Sequence, residues 1–106
     1  MIYRSRQVTL RSRIPTVRVH VVTDDGEVSV HARWKERPID LQRRISYLMR
    51  QGKAIFLEDE WGRTLCLRPE RIQGATVYGR RSGAGANEVV ATLDRFGRIR
   101  RPADRA

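Results

Sequence analysis

Cysteine occurs once, lysine twice and histidine twice in this chain of 106 residues. A lone Cys66 excludes an intrachain disulfide and a zinc site built on paired cysteines, which points to a reducing, cytoplasmic setting. Long hydrophobic runs are missing too. No stretch approaches the ~18 apolar residues of a membrane span, and the N-terminus lacks the apolar segment of a signal peptide, so no membrane association is expected. Residues 1–23 are arginine-rich and acid-free, as in an organellar transit peptide. Pro15 would break the amphipathic helix such a peptide needs, however, and Val17, Val19 and Val21 alternate as in a strand.

Chemistry-bearing clusters are equally scarce. The only acidic run, Glu58-Asp59-Glu60, lies at a strand end, where neighbouring side chains point in opposite directions and do not converge on a cation. Ser82-Gly83-Ala84-Gly85-Ala86 has the glycines of a phosphate loop but no Gly-Lys-Ser/Thr, and reads as a linker. No nucleophile is tied to a base by local geometry, so the chain is expected to be a non-enzyme with no cofactor and no metal. The surviving catalytic alternative is a small nuclease built on His31, Arg33, Arg43 and Tyr47, which requires those four to converge.

What the chain has in abundance is arginine: 20 of its 22 basic residues. Residues 1–15 carry +4, residues 16–79 carry 11 basic against 9 acidic side chains (+2), and residues 80–106 carry 7 against 3 (+4), summing to the net +10. This divides the chain into a basic N-terminal arm (1–15), a nearly neutral core domain (16–79), and a linker with a basic C-terminal arm (80–106). Guanidinium groups bind phosphate bidentately, so a nucleic acid or an acidic protein surface is the expected partner. Codon bias in a GC-rich genome explains the arginine excess equally well.

Strand alternation over Thr16–Thr23 and Glu27–Trp34 around Asp25-Gly26 predicts a hairpin with Asp24 opposite Glu27. That register sets His20 opposite His31 and Arg18 opposite Arg33, a basic strip on the face away from the core. Pro38 and Gly52 bracket a helix whose apolar stripe is Leu41, Ile45, Leu48 and Met49. Arg43, Tyr47 and Arg50 share another face, where an aromatic ring among arginines can stack a base. A second hairpin, Lys53–Glu58 and Arg63–Arg68 with Gly62 in a left-handed position, pairs Ile55 with Leu67, Leu57 with Leu65 and Phe56 with Cys66. Apolar residues on both of its faces predict strands covered on two sides. Trp61 at its tip is a candidate partner contact. Further strands are expected over Ile72–Tyr78, with Gly74 a candidate bulge, and over Gln7–Leu10; residues 88–100 fit helix and strand alike.

The order ββαβββ makes this a small α+β fold: one helix packed on a mostly antiparallel sheet, with a strongly bent or barrel-like sheet as the alternative. The expected function is a non-enzymatic module that attaches to nucleic acid or a ribonucleoprotein. Its candidate binding residues are Arg4, Arg6, Arg11 and Arg13 in the first arm, Arg18, Arg33, Arg43 and Arg50 in the core, and Arg80, Arg81, Arg98, Arg100 and Arg101 beyond it. The alternative is a structural or adaptor protein, such as a virion component, whose arms lace onto neighbouring subunits. A core this small buries only about two-thirds of its unfolded surface, so a homo-oligomer is one source of further burial.

Overall fold

The computed structural model describes residues 14–80 and 88–100. Arg4, Arg6, Arg11, Arg13, Arg81 and Arg101, the Gln7–Leu10 strand and the 82–86 linker lie outside them. Among the described residues seven strands and one α-helix follow in the order β1 (Thr16–Thr23), β2 (Gly26–Arg33), α1 (Pro38–Gln51), β3 (Ile55–Glu58), β4 (Thr64–Leu67), β5 (Ile72–Arg80), β6 (Val89–Asp94) and β7 (Ile99–Arg100), with a short 3-10 helix, Pro69–Arg71, between β4 and β5. Strands β2-β1-β5-β6-β7 form one antiparallel sheet, and β3-β4 form a second of two strands. The sheet stays open, and α1 packs on one side of it, as expected of an α+β fold; the barrel alternative is not the one adopted. A single antiparallel bridge, Ala32 to Asp59, ties the small sheet to β2.

One hydrophobic core joins strands β1 to β6 and α1, while the two residues of β7 are exposed. Val17, Val19 and Val21 from the central strand β1 meet Val77 and Leu93 from β5 and β6, Leu41, Ile45 and Met49 from α1, and Ile55, Leu57 and Leu67 from the small sheet. Full burial of each such side chain contributes about 1.5–3 kcal/mol. The helix ends as its sequence predicts: the Gly52 N–H bonds to the carbonyls of Leu48 and Met49, and the Lys53 N–H to that of Leu48 at 2.9 Å.

Three expectations need correcting. The first hairpin is shifted by two residues, so that Thr23 pairs with Gly26, His20 with Ser29 and Arg18 with His31. The loop is Asp24-Asp25, held by the Thr23 hydroxyl, which accepts from the Asp25 N–H at 3.1 Å and donates to the Gly26 carbonyl at 2.9 Å. Gly26 takes a φ of 132° at the start of β2, and Arg71 holds both loop carboxylates at 3.4 and 3.5 Å. A two-residue shift leaves every side chain on its predicted face, because the side-chain period is also two.

The second hairpin has the predicted register, with Gly62 at a φ of 84°, but it is covered on one side only. Phe56 is 65% exposed and Cys66 is exposed beside it. Two strands outside the main sheet have one face to give to a single core, and Ile55, Leu57 and Leu67 take it.

Finally, the folded core does not end at residue 79. β6 pairs with β5 along its length and Leu93 is 0% exposed, so residues 89–94 and 99–100 are sheet strands joined by a turn and not an arm. This also decides between helix and strand there: the β-branched run Val89, Val90 and Thr92 sits in a ladder. β5 is irregular near Gly74, where the register shifts against β1.

Candidate nucleic-acid interface

The turn between β6 and β7 is organised by one carboxylate. Asp94 Oδ1 accepts the N–H groups of Phe96 and Arg98, both at 2.9 Å, and the Gly97 N–H reaches the Asp94 carbonyl at 3.0 Å. The second hairpin repeats the device: Asp59 Oδ1 accepts the N–H groups of Trp61 at 2.9 Å and Arg63 at 2.8 Å, and the Gly62 N–H reaches the Asp59 carbonyl at 3.0 Å. Both turns read Asp-x-aromatic-Gly-Arg, 59–63 and 94–98, a pattern visible in the sequence and overlooked there for its shortness. The Arg98 N–H holds the Asp94 carboxyl below its ordinary value, with desolvation opposing and the Phe96 N–H assisting. At Asp59 desolvation works upward, yet the N–H and guanidinium of Arg63 and the N–H of Trp61 win and hold it low.

Gly97 docks this turn onto the helix. Its φ is 79°, and a Cβ placed there would lie 2.9 Å from both the Met49 Cβ and the Ser46 carbonyl oxygen. The buried Ser46 hydroxyl donates to the Gly97 carbonyl. Close packing therefore sets Arg98 and Ile99 beside α1, along a groove of about 370 Å³ lined by Ile39, Gln42, Arg43, Ser46 and Arg50 as well. A wider groove of about 620 Å³ runs on from it past Arg50 and Arg98 to Arg95, Phe96 and Glu70. Four arginines thus face one acid. Among the described residues, no carboxylate lies within ion-pair distance of Arg50, Arg95 or Arg98, and Arg43 has only Asp40 at 3.9 Å. Clefts lined by one sign of charge concentrate potential and attract counter-ions.

Of the candidate binding residues, the structure brings Arg43, Arg50 and Arg98 together here. The hairpin residues keep their predicted face, but their cross-strand pairing differs and Arg18, His20 and Arg33 each engage a neighbour. Arg18 lies over the Tyr78 ring at 3.8 Å, and His20 is taken by Glu27 at 3.0 Å. Arg33 is drawn to the second hairpin, with Glu58 at 3.7 Å and the Glu60 carbonyl at 3.2 Å. It lines a small cavity with Arg44 and Phe56. Arg80 ends β5, and Arg100 sits on β7 opposite Thr92. Tyr47 is exposed on α1 but lines neither groove, and Trp61 is 53% exposed at its tip. Arg33 and Arg43 line different clefts, and neither His31 nor Tyr47 lines either of those two; no group of three or more His, Cys, Asp or Glu among the described residues could hold a metal. No helix among them is long and apolar enough to cross a membrane.

Sequence reasoning missed Arg95, Phe96, Gln42 and Ser46. Gln42 and Ser46 are buried polar residues one position beyond Leu41 and Ile45, so they share the stripe's margin while carrying no apolar signal. No protein-family model matches the chain, and no curated protein or solved structure is significantly similar to it.

Proposed function

We propose that this chain is a small, non-enzymatic nucleic-acid-binding module that neutralises phosphates along the α1/β6–β7 groove. The observation that carries the proposal is the meeting of Arg43 and Arg50, two turns apart on α1, with Arg98 from a distant turn along one cleft. Arg95 extends the same charge into the adjoining groove. Phosphate contacts of this kind position a backbone without reading its sequence, so low sequence specificity follows. The unpaired Cys66 thiol suits a reducing cytoplasm.

Titrating a labelled oligonucleotide at several salt concentrations tests this. With three arginines on phosphates, log affinity should fall with log salt at a slope of about −2 on a single strand. The double variant Arg50→Glu/Arg98→Glu should flatten that slope. Affinity absent at low salt would sink the proposal.

A second reading rests on a different surface. Phe56 at 65% and Trp61 at 53% exposure give the β3–β4 hairpin an apolar outer side that suits a subunit contact in an assembly. Light scattering of the wild type beside Phe56→Ser/Trp61→Ser separates the two: a drop in mass favours assembly, an unchanged monomer does not.

A further inference from the structure

Gln42 is 2% exposed, lines the narrower groove and has an Oε1 with no hydrogen-bond partner. Phosphate cannot supply one. A carbonyl oxygen and a phosphodiester oxygen are both acceptors, so what the floor of this groove lacks is a hydrogen-bond donor, which the N–H of a base can supply. Phe96, in the adjoining groove, is 61% exposed, and its backbone is fixed by the Asp94 turn and the Gly97 contact with α1. The ring sits on an ordered turn with the Arg95 guanidinium over one face, 5.5 Å from its centroid, and its remaining exposed surface is available to a stacking base.

We infer that the two grooves take single-stranded nucleic acid, one unpaired base presenting an N–H to Gln42 Oε1 and a neighbouring base stacked near Phe96, with Arg50 and Arg98 on the phosphate between them. The inference rests on the nucleic-acid-binding proposal and narrows its ligand. Every unpaired base has an N–H donor on its Watson–Crick edge and a free face, so the site tolerates all four bases. In a duplex the base faces are stacked on one another and the Watson–Crick edges are engaged, which leaves Phe96 no face to stack on and Gln42 only the amino hydrogens at the groove edges of adenine, cytosine and guanine. Arg50 and Arg98 line both grooves, which is where the link between successive nucleotides must pass.

The test is fluorescence anisotropy of the full chain with a short labelled RNA of mixed sequence, alone and annealed to its complement, at low salt. The single strand should bind at least about tenfold tighter, and Phe96→Ala should weaken it about tenfold, the loss of one stack, while leaving duplex binding unchanged. Gln42→Met, close in volume but without the amide, should weaken the single strand with a native circular dichroism spectrum. Should that core variant fail to fold, the exposed Phe96→Ala still decides. Equal binding of both forms, lost in Arg50→Glu/Arg98→Glu but indifferent to Phe96→Ala, overturns the inference and leaves the proposed function standing. No binding of either form overturns both.

Discussion

Gly62 and Gly97 occupy equivalent places in the two Asp-x-aromatic-Gly-Arg turns, with φ values of 84° and 79°. Their surroundings differ. A Cβ on Gly62 would meet nothing nearer than Arg33 Nη2 at 3.7 Å, whereas one on Gly97 would strike Met49 and the Ser46 carbonyl at 2.9 Å. Gly62→Ala should therefore cost only the left-handed backbone penalty, about 1–2 kcal/mol. Gly97→Ala adds overpacking against a helix backbone and should cost about 2–5 kcal/mol in all, measured by urea unfolding. The carboxylates behind these glycines carry a pH signature. Asp94 is held below its ordinary value, so its stabilisation of the turn is complete above about pH 3.9 and is lost only as pH falls through the lower folded value. The Phe96 and Arg98 amide resonances should report a midpoint below about 3.9. In Asp94→Asn that transition should vanish, since the side-chain oxygen still accepts but no longer titrates.

At the scale of elements, β6 matters most, because the charge pattern assigns it to an arm while the fold places it inside the sheet. Leu93→Ala should destabilise the protein by about 2–5 kcal/mol, the usual range for emptying a fully buried leucine site. Removing residues 81–106 would uncover β5 and unfold the domain, so it cannot serve as the deletion of a binding arm; a cut after Arg100 can. The helix and this turn form a single unit. Ser46 and Gly97 hold them together, and the basic grooves exist only while they stay joined.

For the whole molecule, the net charge of +10 is less informative than where the folded part of it gathers. The sheet face away from α1 sets Arg18 on Tyr78 and His20 on Glu27. The opposite side collects Arg43, Arg50, Arg95 and Arg98. Charge reversal should reflect this asymmetry. Arg50→Glu/Arg98→Glu is expected to abolish most salt-sensitive binding contributed by the folded domain, while Arg18→Glu should change it little, in parallel titrations at one salt concentration.

Local rules determined much of this protein from sequence: the bracketing of α1 by Pro38 and Gly52, its apolar stripe, the register of β3 with β4, and the two faces of β1 and β2. Each depends on residues close in the chain, where period, capping and turn chemistry act directly. The β1–β2 register escaped by two residues because face alternation constrains it only modulo two. The choice was made by the Thr23 hydroxyl and by Arg71, which arrives from the short 3-10 helix that leads into β5. Tertiary structure alone decided that residues 89–94 are a strand, since a neutral-looking Val-Val-Ala-Thr-Leu segment takes its conformation from the ladder it joins. It alone also put Arg43 and Arg50 beside Arg98, for a groove between a helix and a distant turn depends on long-range packing, and a glycine small enough to permit the contact carries no mark of its partner.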